Sequence, residues 1–433
     1  MPWPSMLDRL GVTRDRSLRW GVLLGQFFSA QTLNQALGLL AGLLLVRFMP
    51  IEEFALYTLA FSVITFFAFV TDLGVGSSLV HFFHQSRSGH DLDYPAHVWA
   101  VLSLRALAFA LGSVVVAVVF PALASRDGFA GRGIPWITLG IVLCVGFQIV
   151  SSVRILLLRL AERFGASYLA ELAGASVRLL GVALMLWADL LLALVGVLVA
   201  SASALAVAVI APGESLGRPE RPALPVARKR VLRYLLPTLP SALYFSIQAP
   251  LVVWLATYFG GTTNLAEVGA LTRLGLIFGV FNTLVGAVFV PKLAHVTDDR
   301  TYLVRYLQYS GFLAAVAACF LLAAAAFPDE LLWIIGPNYS GLHHELLLTV
   351  GTAGISLLTA LAVGVTMTRS WTRWNIGILV LHVSAQAVLV ATLPLATTQG
   401  VLTFGLLSAA VGFTLQSSNN FIGFRRPALV QWS

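Results

Sequence analysis

PGESLGRPERPALPVARKR, from Pro212 to Arg230, is the longest and most polar segment in the middle of the chain, with four prolines and a closing basic cluster. The prolines interrupt helix, and the cluster belongs in water or among anionic headgroups. Outward from it the sequence turns apolar in both directions. Six stretches precede it, near 20–46, 55–83, 97–121, 135–158, 167–187 and 190–211, and six follow, near 232–257, 266–289, 303–327, 343–367, 374–396 and 400–422. A helix of about 20 apolar residues crosses the roughly 30 Å of bilayer hydrocarbon, and every stretch is that long.

Composition points the same way. Of 433 residues, 58% are hydrophobic and 11% charged, and mean hydropathy is +0.87, whereas a soluble domain carries about 25% charged residues. A soluble catalytic domain is excluded. The expected fold is an all-α polytopic membrane protein, with twelve transmembrane helices in two six-helix bundles around a central cavity. Residues 1–211 form the first bundle, 212–231 a cytoplasmic linker and 232–433 the second. The basic start (Arg9, Arg14, Arg16, Arg19) leads into an apolar run too long for a signal-peptide core and broken by Gln26 and Gln31, so the first span is expected to stay.

Lys and Arg set orientation, because cytoplasmic joints hold their excess. With twelve spans both termini share a side, and that side holds most of the 27 Lys and Arg; the opposite joints hold only Arg47, Arg126 and Arg132. Both ends are therefore expected in the cytoplasm, with the protein in the cytoplasmic (inner) membrane. Sidedness and anionic lipid account for the net charge of +8, with no nucleic-acid partner. Cys144 and Cys319 lie inside spans without metal-ligand spacing, and His81, His84, His90 and His97 are irregularly spaced. Neither metal nor cofactor is expected.

A shift of 214 residues, from Glu53 to Glu267, lays Thr58 on Thr272, Phe67 on Phe281 and His81 on His295. This points to an internal duplication. Six spans per half is even, so the repeats enter from the same side and are parallel.

RFMPIEEFALYTLAFSVITFFAFVTDLGVGSSLV, Arg47 to Val80, resembles the signature of the polysaccharide and O-antigen repeat-unit flippases of the multidrug/oligosaccharidyl-lipid/polysaccharide exporter superfamily. EVGALTRLGLIFGVFNTLVGAVFVPKLA (Glu267 to Ala294) and IIGPNYSG (Ile334 to Gly341) resemble its second-half counterparts, although Ala55 and Leu271 depart from the usual pattern. The resemblance implies a non-enzymatic carrier that moves an undecaprenyl-pyrophosphate-linked oligosaccharide between leaflets by alternating access. Its partners would be that substrate, membrane lipids and a polysaccharide polymerase.

Such a cargo needs hydrogen-bonding groups and cations to replace its lost water. Gln31, Asn34 and Gln35 share a face of span 1, and Ser241, Tyr244 and Gln248 recur at i, i+3 and i+7 in span 7. Both stripes face away from lipid, toward sugar or toward neighbouring helices. Ionisable residues at membrane depth cost about 2.5–3.5 kcal/mol each to insert; they are Asp72, Arg105, Glu171, Arg178 and Arg273. Asp72 and Arg105 are expected to pair, or to serve a coupling ion. Glu171 faces the side of Arg178, with Arg154 and Arg159 as other partners. Arg273 has no acid close in its own span, which suits a pyrophosphate or acidic sugar. Pro237, Pro240 and Pro250 are expected to kink span 7.

Rival classes differ in specific residues. A drug/cation antiporter of the same superfamily is expected to place a carboxylate in span 1 or 7, where this chain has amides. Peptidoglycan-precursor flippases have two further C-terminal spans and arginines in span 1. A glycan-processing membrane enzyme needs a sizeable outer loop or a carboxylate-rich motif.

Overall fold

The structure is a computed structural model that describes residues 14–72, 74–87, 94–126, 128–129, 131–212, 223–236, 239–296 and 298–425. Arg9, His90, Pro237 and most of the 212–222 joint lie outside them. Every regular element described is helical: α1 (Arg14–Phe48), α2 (Ile51–Asp72), α3 (Val75–Arg87), α4 (Tyr94–Arg126), α5 (Ile134–Leu160), α6 (Phe164–Trp187), α7 (Ala193–Ile210), α8 (Ala223–Leu235), α9 (Leu239–Phe259), α10 (Thr262–Gly275), α11 (Phe278–Leu284), α12 (Val290–Ala294), α13 (Asp299–Ala326), α14 (Pro328–Ile335), α15 (His343–Thr368), α16 (Asn375–Thr392) and α17 (Thr398–Arg425). Among the described residues nine helices are long and apolar enough to cross a membrane, or eleven if each of two bent pairs is one span. The first expected span lies in α1, whose 35 residues rise about 52 Å.

Three sequence-based boundaries need correction. Span 2 does not run to 83: α2 ends at Asp72, Gly74 turns with φ +81°, and α3 starts as a separate helix. The stretch before 232 is not all joint, because Ala223–Leu235 forms α8. Pro225 falls in the first turn of α8, where its missing N–H has no partner to lose. The buried residues Ala227, Val231 and Leu235 set α8 against Leu79, Phe82, Val98 and Val101. Span 7 therefore begins at Leu239. Finally, span 8 is not straight, and span 7 bends at Pro250, as its prolines led us to expect. α9 bends by 54° between Gln248 and Pro250, where proline cannot donate to the helix ladder. α10 and the segment Phe278–Ala294 meet at 45°, and residues Val285–Phe289 form a π turn between α11 and α12.

The outer surface is as apolar as the core. Leu107, Leu111, Val114 and Val118 of α4 are exposed, as lipid-facing side chains are. Exposed tryptophans gather at the helix ends, with Trp136, Trp187 and Trp333 on one rim and Trp99 and Trp374 on the other, the placement of interfacial anchors. We call the rim nearest α8 the linker side and its opposite the far side. Lipid rewards a leucine as well as a protein core does, so the helices are held by close packing and polar contacts. On α7, Ser201 Oγ donates to the Gly140 carbonyl at 3.1 Å and Ser203 Oγ to the Gly174 carbonyl at 2.8 Å, which fastens α5 and α6 to it.

α7 packs on α5 and α6, and α6 on α1; α15 packs on α13 and α17. The two groups meet where α2 lies against α9 and α10, and where α1 touches α10, α11 and α14. At the α2–α10 crossing a Cβ on Gly269 would come within 2.5 Å of Thr58 Oγ1. Only glycine lets these helices approach so closely. On the far side Arg47 Nη1 donates to the Trp333 carbonyl at 2.9 Å and its guanidinium stacks 4.4 Å from that ring, joining α1 to α14.

Glu53 and Glu267, related by the 214-residue shift, do matching work. Glu53 Oε2 accepts from the Ala193 N–H at the start of α7 at 2.8 Å, and Glu267 Oε2 accepts from Thr398 Oγ1 at the start of α17. A carboxylate there meets the positive end of a helix dipole. Arg132 completes the first arrangement, bonding Glu52 and Glu53. Its hydrogen bond to Glu52 raises the guanidinium pKa above the ordinary value.

Candidate substrate site

Two cavities lie on either side of the α2–α10 contact. The first, about 660 Å³, is lined from the first helix group by Phe61, Asp72, Arg105, Gln148, Arg159 and Glu171, among others. The second, about 480 Å³, lies within the second group and is lined by Tyr244, Gln248, Ser356, His382, Ser408 and Gln416, among others.

Charges in the first cavity are paired. Arg105 Nη2 donates to Asp72 Oδ1 at 2.6 Å, Nη1 to Ser152 Oγ at 3.0 Å and Nε to the Thr71 carbonyl at 3.4 Å. This one buried guanidinium ties the end of α2 to α4 and α5. Because α2 already measures 22 residues at Asp72, the carboxylate sits at the end of a full-length span rather than well inside one. Glu171 pairs with Arg159, whose Nη2 lies 2.7 Å from Glu171 Oε1, and not with Arg178. Arg154 instead donates to the carbonyls of Ala208 and Ala211, which the end of α7 leaves free.

Arg178 and Arg273 come together from different helix groups. The Arg178 guanidinium lies 5.4 Å from the Phe61 ring centroid and donates from Nη2 to Tyr57 Oη at 3.3 Å. Arg273 lies 4.8 Å from the same Phe61 ring and 5.9 Å from that of Tyr57, with Gly42 of α1 beside its stem. Two guanidinium carbons at 5.4 and 4.8 Å from one point are no more than about 10 Å apart. At that spacing like charges repel by about 1.7 kcal/mol or more at an effective dielectric near 20. Arg273 is 8% exposed, its Nε is buried without a partner, and no carboxylate pairs with it among the described residues. Counting from the start of α10 at Thr262, it sits roughly 16 Å along the helix, deeper than a start near 266 implies.

The amide stripes divide. Gln35 Nε2 donates to Thr283 Oγ1 at 2.7 Å and to the Gly279 carbonyl at 3.3 Å, so it joins α1 to α11 across the two groups. Gln31 and Asn34 are half-buried and bond to no other described residue. Ser241, Tyr244 and Gln248 do not face a space between the groups; they line the second cavity. There Tyr244 Oη lies 2.7 Å from His382 Nδ1, and His382 Nε2 lies 2.9 Å from the Ser408 carbonyl. Gln386 Nε2 donates to Gln248 Oε1 at 2.9 Å and to Ser408 Oγ at 2.8 Å. His382 and Gln386 escaped the sequence reading, although two polar residues one turn apart in an apolar span are a visible signal. The roles of Tyr57 and Phe61 left no signal, since aromatic residues fill α2 throughout.

Comparison with solved structures defines the class of fold. The lipid II flippase MurJ in an inward closed conformation superposes with a TM-score of 0.71 at 13% identity, covering 94% of this chain and 93% of that one. A multidrug resistance MATE family transporter in its inward-facing conformation gives 0.56 at 16% identity, covering 91% and 96%. The fold is that shared by flippases and transporters of the MOP superfamily. No curated protein matches the chain. A family model described as polysaccharide biosynthesis protein matches residues 25–297, and the chain belongs to that family.

Proposed function

We propose that this protein carries a lipid-linked oligosaccharide, an undecaprenyl-pyrophosphate glycan, across the cytoplasmic membrane by alternating access, for cell-surface polysaccharide assembly. The observation that carries the proposal is the Arg178–Arg273 pair, two cations near mid-span with no carboxylate partner among the described residues. Such a pair asks for a ligand that brings its own negative charge, and guanidinium binds phosphate oxygens in bidentate fashion. Gln31 and Asn34, nearer the start of α1 than the Gly42 that borders Arg273, are the hydrogen-bonding groups that helix offers, while Gln35 is held by Thr283 and Gly279. The halves 1–211 and 239–433 are the moving bodies, and the bends of α9 and α10 are the places where the second can flex.

Membership of a polysaccharide biosynthesis family supports this reading. A cation antiporter is less well served: Asp72 and Glu171, the carboxylates of the first cavity, are already neutralised by Arg105 and Arg159. In this account the protein makes and breaks no bond, its termini are cytoplasmic, and it delivers the glycan to a polymerase on the far side. A cysteine placed in the 212–222 joint is then shielded from impermeant thiol reagents in intact cells, and one at Asn338 is labelled.

Deletion in the native host, followed by mass spectrometry of lipid extracts, tests the function. Accumulation of an undecaprenyl-linked oligosaccharide is the expected result. An unchanged lipid-linked pool with new drug sensitivity would replace this reading with the antiporter.

A further inference from the structure

We propose that the second cavity is a recognition compartment for uncharged sugar, separate from the arginine pair that holds the anionic group. This rests on the carrier reading above and adds where the glycan's sugars dock and which ones are accepted. α10 is the partition: Arg273 points toward Tyr57 and Phe61 of α2, whereas its neighbours Thr272 and Gly275 line the second cavity.

The lining contains no Asp, Glu, Lys or Arg among the described residues. Its polar groups converge from five helices: Tyr244 and Gln248 from α9, Thr272 from α10, Ser356 from α15, His382 from α16 and Gln416 from α17. Between them stand apolar walls that include Leu251 and Phe404. A pyranose has this character, with apolar C–H faces and a hydroxyl edge that both gives and accepts hydrogen bonds. A hydroxyl that finds partners in such a space loses little, while a carboxylate with no counter-cation loses several kcal/mol. The cavity therefore selects neutral sugars and rejects acidic ones. Its volume of about 480 Å³ lies within the roughly 300–1,000 Å³ of small-molecule sites.

The test introduces one thiol by Ser356→Cys in a full-length chain whose own Cys144 and Cys319 are replaced by Ala, held in lipid nanodiscs. Maleimide labelling rates are measured with four probes: octyl β-lactoside, octyl β-glucuronide, undecaprenyl pyrophosphate without sugar, and tetraphenylphosphonium. The lactoside is expected to slow labelling by about tenfold, and the other three to leave it unchanged. Protection by the lactoside should persist in Arg273→Ala. Equal protection by glucuronide or by sugar-free undecaprenyl pyrophosphate overturns the neutral-sugar assignment. Absence of protection by the lactoside, with Arg273-dependent binding of undecaprenyl pyrophosphate intact, overturns this inference and leaves the carrier reading standing. Protection by tetraphenylphosphonium alone overturns both.

Discussion

The two cavities solve the burial of polar groups in opposite ways. The first holds full charges and neutralises them in place, Asp72 with Arg105 and Glu171 with Arg159. The second holds only neutral groups, linked through Tyr244, His382, Ser408, Gln386 and Gln248. Between them Arg178 and Arg273 are charged and have no carboxylate partner among the described residues. The contrast teaches where to look for a ligand: a paired charge is already satisfied, whereas an unpaired one is a request for an anion.

The largest effect is expected in the charged cavity. Arg105→Ala leaves Asp72 without its partner and frees Ser152 and the Thr71 carbonyl. Breaking a fully buried pair costs about 3–5 kcal/mol, and with the Asp72 side chain 42% exposed we expect about 2–3 kcal/mol. Unfolding in detergent measures it, and adding Asp72→Asn should recover part of the loss. A double variant no better than Arg105→Ala would show that the pair is not what Arg105 stabilises.

At the boundary between the regions, Gly269→Val forces side-chain atoms against Thr58. Overpacking of this kind costs about 1–3 kcal/mol, and Thr58→Ala in the same chain should restore about half. Lack of any rescue would mean that α2 and α10 do not cross so closely.

In the neutral cavity one partner should matter less. His382→Leu removes one link to Tyr244 and one to Ser408, and interhelical hydrogen bonds in membranes average about 0.6 kcal/mol each. A loss of about 1 kcal/mol is expected in the same unfolding assay. A loss equal to that of Arg105→Ala would erase the distinction between the two cavities.

The smallest effect lies outside both cavities, at the start of α13, and serves as a reference. The Asp298 carboxylate accepts from the Thr301 N–H at 2.8 Å, and hydrogen bonding from the Thr301 side chain first and that N–H second lowers its pKa below the ordinary value. Its stabilisation is complete above the unfolded carboxylate pKa and is lost as pH falls through the lowered one. Asp298→Asn should therefore flatten the acid limb of stability slightly, with no change near neutral pH.

Much of the fold was legible because a 20-residue apolar run has few alternatives in lipid. The charge pairs were legible too, since ionisable residues are conspicuous in apolar spans. The errors arose from backbone geometry. Nothing in the apolar letters around Gly74 marks a helix break, and Pro225 reads as a breaker unless its place in the first turn of α8 is known. The stripe of Ser241, Tyr244 and Gln248 was found and so was its facing away from lipid, but not which cavity it lines, because that depends on contacts distant in sequence. Likewise the meeting of Arg178 with Arg273 rests on α2 lying between the two groups.

The central claim is that Arg273 waits for the anion of a lipid-linked glycan, and export by Arg273 variants in the native host tests it most directly. Arg273→Ala should abolish surface glycan and accumulate the undecaprenyl-linked precursor while protein abundance stays near normal, and Arg273→Lys should recover only part, since an ammonium lacks the guanidinium fork. Normal export by Arg273→Ala, or loss of export together with loss of the folded protein, would contradict the claim.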